Sequence, residues 1–208
     1  MRDYFFFCPP KTAGKAICGH FKISNIHTLV KDIYHPNFKN FIKLQAIDIT
    51  KYYYRLILKK KTKLCIPANT NKNIHVGSVR NPYSRSVSWY LDVKRSKFHQ
   101  SYHNFNKDMN FRDFLIFNKN STGFRTQKSY FTDWNNKYRL DYLIKYENLN
   151  SDFKNFIDSE KIYLEKFNYK LIHLNQNPFK YNYEDYLCNQ SVDIINKLQN
   201  EDFSFFWL

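Results

Sequence analysis

Glycine is scarce: only 4 of the 208 residues are Gly. No Gly- or Ser-rich linker divides the chain, and its length suits a single domain, residues 1–208, with a core of its own. Cysteine is as sparse, and Cys8, Cys18, Cys65 and Cys188 are scattered. With no C-x-x-C pair and no zinc-type spacing, a zinc centre and a disulfide framework are both disfavoured. Cys8 and Cys18 stand in apolar surroundings and read as buried thiols. Long apolar runs are missing too. None approaches the ~20 residues of a membrane span. The opening run stops at Pro9-Pro10 and lacks the pattern of a signal peptide, so a soluble, intracellular chain is expected. Acidic residues are also few: 18 Asp and Glu stand against 33 Lys and Arg, a formal net charge of +15. That excess implies an anionic partner such as a nucleotide, an anionic glycan, nucleic acid or a membrane surface.

Aromatic residues, in contrast, make up 19% of the chain. They open the segment on which the reading turns, Tyr4 to Phe21, YFFFCPPKTAGKAICGHF. Tyr4 to Cys8 has the apolar density of a short buried strand. Pro9-Pro10 breaks it, Lys11-Thr12-Ala13-Gly14-Lys15 forms a compact polar turn, and Ala16, Ile17 and Phe21 are spaced for one face of a helix. A strand, tight turn and helix start cradle an anion through backbone N–H groups, and a lysine adds a full charge. The Walker pattern G-x-x-x-x-G-K-[ST] is matched only in part. Pro9 replaces its first Gly, and Ala16 replaces the Mg²⁺-binding hydroxyl. The plain alternative is an ordinary strand–turn–helix with two solvated lysines.

Further along, His75 to Val79 reads as a second buried strand that delivers Arg80 at its carboxyl end, on the same rim as Lys11. Asn81-Pro82 is read as a turn and Ser84 to Lys94 as a helix. Lys97 to Asp108 is polar and expected to be a loop, with Asn110 capping the next helix. Gly123 to Trp134 is a loop with a short aromatic helix. Tyr142 to Tyr146 is a third strand, a helix runs from about Ser151 to Phe167, and residues 171–175 are a last strand candidate. Ser191 to Leu198 is the final helix, followed by an aromatic tail from Phe203 to Trp207. The run Phe38 to Leu64 is basic and aromatic, and its lysines read as a solvated face. Helices alternating with short apolar strands predict an α/β fold, a P-loop-like three-layer α/β/α architecture around a mostly parallel sheet.

Two motifs carry a resemblance. PKTAG after an apolar strand resembles the 5′-phosphosulfate loop of sulfotransferases that use PAPS (3′-phosphoadenosine 5′-phosphosulfate). Val79 to Tyr90, VRNPYSRSVSWY, is similar to the 3′-phosphate-binding segment of the carbohydrate sulfotransferases, in which the residues matching Arg80 and Ser88 bind that phosphate. Apart from any family, an arginine at a strand end and a serine two turns along the next helix can converge on one phosphate. Weaker echoes lie in Ile26 to Asp32, in Tyr142 to Phe153 (YLIKYENLNSDF), and in His173-Leu174-Asn175 with Tyr183, Tyr186 and Asp202-Phe203. The likeness extends along nearly the whole chain and is strongest to the group acting on glycans such as heparan or chondroitin, with its short viral and microbial relatives. Lys15 departs from the family, which usually has Thr or Ser there.

The resemblance implies metal-independent transfer of a sulfuryl group from PAPS to a hydroxyl of an acceptor, expected to be a carbohydrate, with adenosine 3′,5′-diphosphate as product. Lys11, Thr12, Ala13, Gly14, Lys15 and Ala16 would bind the 5′ side of the cofactor, and Arg80 with Ser88 its 3′-phosphate. Lys11 would also act in catalysis beside a general base. The first candidate for that base is His27, which the resemblance places after the first helix, and His20 is its rival. His99 and His103 are candidates for the acceptor cleft. Two readings from other classes compete. A degenerate P-loop fold could bind anionic glycan or nucleic acid without chemistry, its tyrosines stacking on bases. A P-loop kinase would need the hydroxyl that Ala16 lacks and would not need Arg80 with Ser88.

Overall fold

The computed structural model describes residues 4–14, 16–17, 74–102, 105–121, 124–133, 135–160 and 181–207. Within them lies a three-stranded, all-parallel sheet flanked by helices, a mixed α/β arrangement. Strand β1 (Tyr4–Phe7) pairs with β2 (Ile74–Val79), Tyr4 opposite Ile74 and Phe7 opposite Gly77. On its other side β2 pairs with β3 (Tyr142–Lys145), Val76 opposite Tyr142 and Val79 opposite Lys145. The order β1-β2-β3 makes β2 the centre. It is buried from His75 onward, as a parallel strand covered on both faces must be.

Alternation along the strands sends successive side chains to opposite faces. Phe6, Val76, Tyr142 and Ile144 meet Ile17 and one stripe of α4 (Leu149–Ser159): Leu149, Phe153, Phe156 and Ile157. Their i, i+4, i+7, i+8 spacing is the reason this segment is a helix with one apolar face. Phe7, Val79 and Leu143 face a second cluster with Tyr130, Phe131, Leu140 and Phe206. Gly77 lies on that side because a Cβ there would stand 2.2 Å from Leu140 Cδ1 and 2.9 Å from Phe131 Cε1.

Helix α1 (Pro82–Arg95) follows β2. The Asn81 side chain accepts hydrogen bonds from the backbone N–H of Tyr83 (3.0 Å) and Ser84 (3.4 Å), and Pro82 holds the first helical position. The pair read as a turn is therefore a helix cap. Val87, Tyr90 and Val93 join Phe105, Phe124, Ile195 and the buried face of α3 (Phe111–Asn118) in a third cluster. Asn110 caps α3 as expected, accepting from Asp113 N–H at 2.9 Å. Helices α5 (Asn189–Leu198) and α6 (Asn200–Phe206) complete the described chain.

Two expectations are corrected. Lys97–Tyr102, expected to be loop, is the helix α2. Its contact with α1 is made in part by His99, whose ring packs against Trp89. The aromatic tail is helical: α6 holds Phe203 and Phe206 against different clusters. The strand candidate at 171–175, Cys18 and Cys65 lie outside the described residues, whereas Cys8 is a buried thiol and Cys188 an exposed one.

Candidate anion-binding rim

The carboxyl ends of all three strands meet on one rim, and each contributes one residue to it. Beyond β1 the chain turns through Pro10 to Ala13 before a helix opens at Gly14. Lys11 and Ala13 both have positive φ, 70° and 68°. An L-residue in that left-handed region costs ~1–2 kcal/mol, so the turn must be held by its surroundings. Thr12 does this. Its N–H and its hydroxyl both donate to the Pro9 carbonyl, at 3.3 and 2.7 Å. With its one proton so used, Thr12 Oγ1 accepts from Ser78 Oγ at 2.8 Å, tying the loop to β2. The Ala13 carbonyl accepts from the N–H of Ala16 (2.9 Å) and Ile17 (3.1 Å), which starts the helix.

From the end of β2, the Arg80 backbone is clamped by one side-chain amide. Gln127 Oε1 accepts from Arg80 N–H and Gln127 Nε2 donates to the Arg80 carbonyl, both at 2.8 Å. The Arg80 guanidinium, 8% exposed, donates through Nε to Ser84 Oγ (2.8 Å), through Nη1 to the Lys11 carbonyl (3.5 Å) and through Nη2 to the Tyr181 hydroxyl (3.3 Å). Its central carbon stands 4.0 Å from the centroid of the Tyr146 ring, the residue that follows β3. Among the described residues three of its five N–H donors meet protein acceptors, leaving two for a ligand. Glu147 Oε1 accepts from Asn81 N–H at 2.7 Å and ties the end of β3 to the same turn.

Lys11 and Arg80 are brought together as expected, the loop and the guanidinium in direct contact. The serine is different. Ser84, one turn nearer than Ser88, is the hydroxyl that Arg80 meets, and Ser88 sits half-buried farther along α1. Thr12 turns inward, and Ala16 is buried without a hydroxyl to offer. Gly14 is buried where the helix opens. Lys15, His20, His27 and His103 lie outside the described residues. His99 is described, on α2: its Nε2 lies 3.5 Å from Asp92 Oδ2 and its ring packs edge-on against Trp89.

Asp92 was not singled out by any motif, yet its Oδ1 is 3.3 Å from Lys11 Nζ. Tyr146 and Tyr181 are likewise additions. Tyr146 lies in the YENL segment, a signal that was there to use, whereas Tyr181 and Gln127 had none.

Beneath the rim runs a buried polar network. Arg85, 3% exposed, donates through Nε to the Pro10 carbonyl (3.1 Å) and through Nη1 to the Arg125 carbonyl and Gln199 Oε1 (both 3.1 Å). Asp202, fully buried on α6, accepts from the N–H of Gln127 (2.8 Å) and Lys128 (2.9 Å) and from Gln127 Nε2 (3.2 Å). Burial pushes the Asp202 carboxyl up from its ordinary range. The positive charge of Arg85 and the N–H groups of Gln127 and Lys128 oppose that shift. Burial in turn lowers Arg85, opposed chiefly by Asp202. The network fixes the loop carbonyl, the Arg80 backbone and the last helix relative to one another.

The rim thus offers a strained, backbone-lined turn, a lysine and a fork-shaped guanidinium, a set suited to an anion bearing more than one charged group. Among the described residues no group of three or more His, Cys, Asp or Glu could hold a metal ion, and no helix is long and apolar enough to cross a membrane. No family model, curated protein or solved structure matches the chain.

Proposed function

We propose that the protein is a sulfotransferase that uses PAPS and acts on a hydroxyl of a carbohydrate acceptor, on a P-loop-like three-layer α/β/α fold around the parallel sheet. The observation that carries the reading is the contact between Arg80 and the Lys11–Gly14 loop at the ends of neighbouring parallel strands. The cofactor carries two anionic groups, a 5′-phosphosulfate and a 3′-phosphate. Two cationic positions on adjacent strand ends match that need, and a nucleoside triphosphate bound with Mg²⁺ would not require the second.

Lys11 and the backbone of the turn that runs to Gly14 hold the 5′ side and neutralise the charge that grows on a leaving phosphate, with Lys15 and Ala16 as the further cofactor-binding positions of the motif. Preorganised donors of this kind are commonly worth ~3–4 kcal/mol each. Arg80, with Ser84 and Ser88 on α1, holds the 3′-phosphate. When bound, PAPS supplies the activated sulfuryl group. His27 takes the proton from the acceptor hydroxyl in this reading, a role that a nearby base must fill. The +15 charge suits an anionic glycan as acceptor.

The test is sulfuryl transfer from radiolabelled PAPS to desulfated heparan and chondroitin. Lys11→Ala and Arg80→Ala are each expected to abolish transfer while the far-ultraviolet circular dichroism stays native. Full activity in either variant would refute the assignment. Glycan retention without transfer by the wild type would favour a basic binding module on the same fold.

A further inference from the structure

We infer that Asp92 is an internal counter-anion for Lys11, one that an incoming anion displaces when the rim is filled. The inference rests on the proposed function for the identity of that anion, but the exchange itself rests on geometry alone.

Lys11 belongs to the strained turn after β1, and Asp92 to the third turn of α1, 81 residues away in sequence. Their side chains meet at 3.3 Å, at 24% and 20% exposure. A pair so placed is neither buried enough to be fixed nor exposed enough to be fully screened. The lysine is long and flexible, whereas its backbone is held by Thr12 and by the Arg80 contact to its carbonyl. The ammonium group can therefore move while the loop stays in place.

Asp92 is also equipped to lose this partner. Arg95 Nη2 lies 3.3 Å from the same Oδ1, one turn along the helix. His99 Nε2 lies 3.5 Å from Oδ2. When Lys11 swings to a ligand, the carboxylate keeps the Arg95 guanidinium and the His99 ring beside it, so the step does not leave a stranded charge. The Arg80 guanidinium has a different set of partners, namely a hydroxyl, a carbonyl, a phenol and an aromatic face. No carboxylate lies among the partners of Arg80 described here. Of the two rim cations, Lys11 is the one whose charge is held by an acid of the protein itself.

The consequence is a competition. Asp92 lowers the affinity of the rim for any anion that needs Lys11, and it returns Lys11 to a defined place after a product leaves. Asp92 acts here as a positioning residue, through Lys11. Asp92→Asn keeps the shape and removes the charge, so anion affinity should rise by about two- to fivefold, the range of a partly exposed ion pair. The same substitution in a Lys11→Met background should bring no gain, because the charge it frees is gone.

Calorimetric titration of wild type, Asp92→Asn, Lys11→Met and the double variant with two probes, inorganic sulfate and adenosine 3′,5′-diphosphate, tests this. Tighter binding in Asp92→Asn that disappears with Lys11→Met is the expected result. Equal or weaker binding in Asp92→Asn, or a gain that survives without Lys11, overturns the exchange. If sulfate shows the expected pattern and the diphosphate does not bind, the exchange stands and the donor assignment falls. If the diphosphate binds with an affinity that Asp92→Asn leaves unchanged, the donor assignment stands and the exchange falls. A wild type that binds neither probe overturns both. Asp92→Glu separates charge from shape: it should restore weaker, wild-type-like binding.

Discussion

Arg80 and Arg85 stand five residues apart in one motif, and both are nearly buried, yet they serve different parts of the molecule. Arg80 reaches the rim, where hydroxyls, one loop carbonyl and a tyrosine ring surround it. Arg85 goes down into the network, where carbonyls of Pro10 and Arg125 and the Gln199 side chain use its donors and Asp202 supplies the opposite charge. One arginine lies on the rim and also holds the loop, and the other lies beneath it and ties the loop to the last helix. The lesson is that charge in a basic sequence is divided by its partners. A rim that must accept an anion needs cations that are open or held by exchangeable partners, and a network beneath it needs cations held by buried ones.

Breaking that division at its deeper end should have the largest effect. Arg85→Ala would leave the buried carbonyls of Pro10 and Arg125 and the Gln199 side chain without their donor and remove a positive charge that favours the Asp202 carboxylate, a loss of about 3–5 kcal/mol in all. Chemical unfolding should show that loss, whereas Arg80→Ala should unfold with at most ~2 kcal/mol less stability, since its backbone remains clamped by Gln127. Equal losses in the two variants would erase the distinction.

Gly77→Ala probes the sheet that carries both. A Cβ at that position would stand 2.2 Å from Leu140 Cδ1 and 2.9 Å from the buried ring of Phe131. Leu140 can turn away more readily than the ring, so a cost of about 1–3 kcal/mol is expected, read as a lower melting temperature with anion binding retained.

His75, at the opposite end of β2 from the rim, gives a pH test. Burial lowers its pKa from the ordinary 6.5, with Asp141 and its hydrogen bond pulling the other way. A folded state that prefers neutral histidine has its full stability above 6.5 and loses it as pH falls toward the lowered value. The melting temperature should therefore drop on going below pH 6.5, and His75→Gln should flatten that part of the profile.

The smallest effect belongs to the loop. Ala13 has φ 68°, and Ala13→Gly should relieve its strain at some cost in unfolded-chain entropy, for a net gain of about 0.5 kcal/mol. A loss of stability would mean that the Ala13 methyl, packed against the cluster that holds Ile17 and Val76, matters more than the backbone.

The strands and the rim were legible because they depend on local pattern. A short aromatic run such as Tyr4 to Phe7, stopped by two prolines, reads as a strand, and His75 to Val79 followed by Arg80 announces where the guanidinium must emerge. The Asn81-Pro82 pair was visible too, although its role as a cap depends on the helix that starts behind it. Helix α2 was not legible, since the six residues Lys97 to Tyr102 are too few and too polar to announce a helix and lean on contact with α1. Nor was α6, in which Phe203 and Phe206 serve separate clusters. The contacts most hidden were Lys11 with Asp92 and Arg80 with Gln127. Each joins residues dozens of positions apart, and side-chain pairing across the chain leaves no spacing to read.

The central claim is that the rim binds a doubly anionic adenosine nucleotide, and thermal unfolding with adenosine 3′,5′-diphosphate tests it most directly. At 100 times its Kd a ligand specific to the native state adds ~2.7 kcal/mol. The account predicts a raised melting temperature for wild type, lost in Arg80→Ala and not reproduced by ATP with Mg²⁺. Stabilisation by ATP with Mg²⁺ alone, or an undiminished shift in Arg80→Ala, would contradict it.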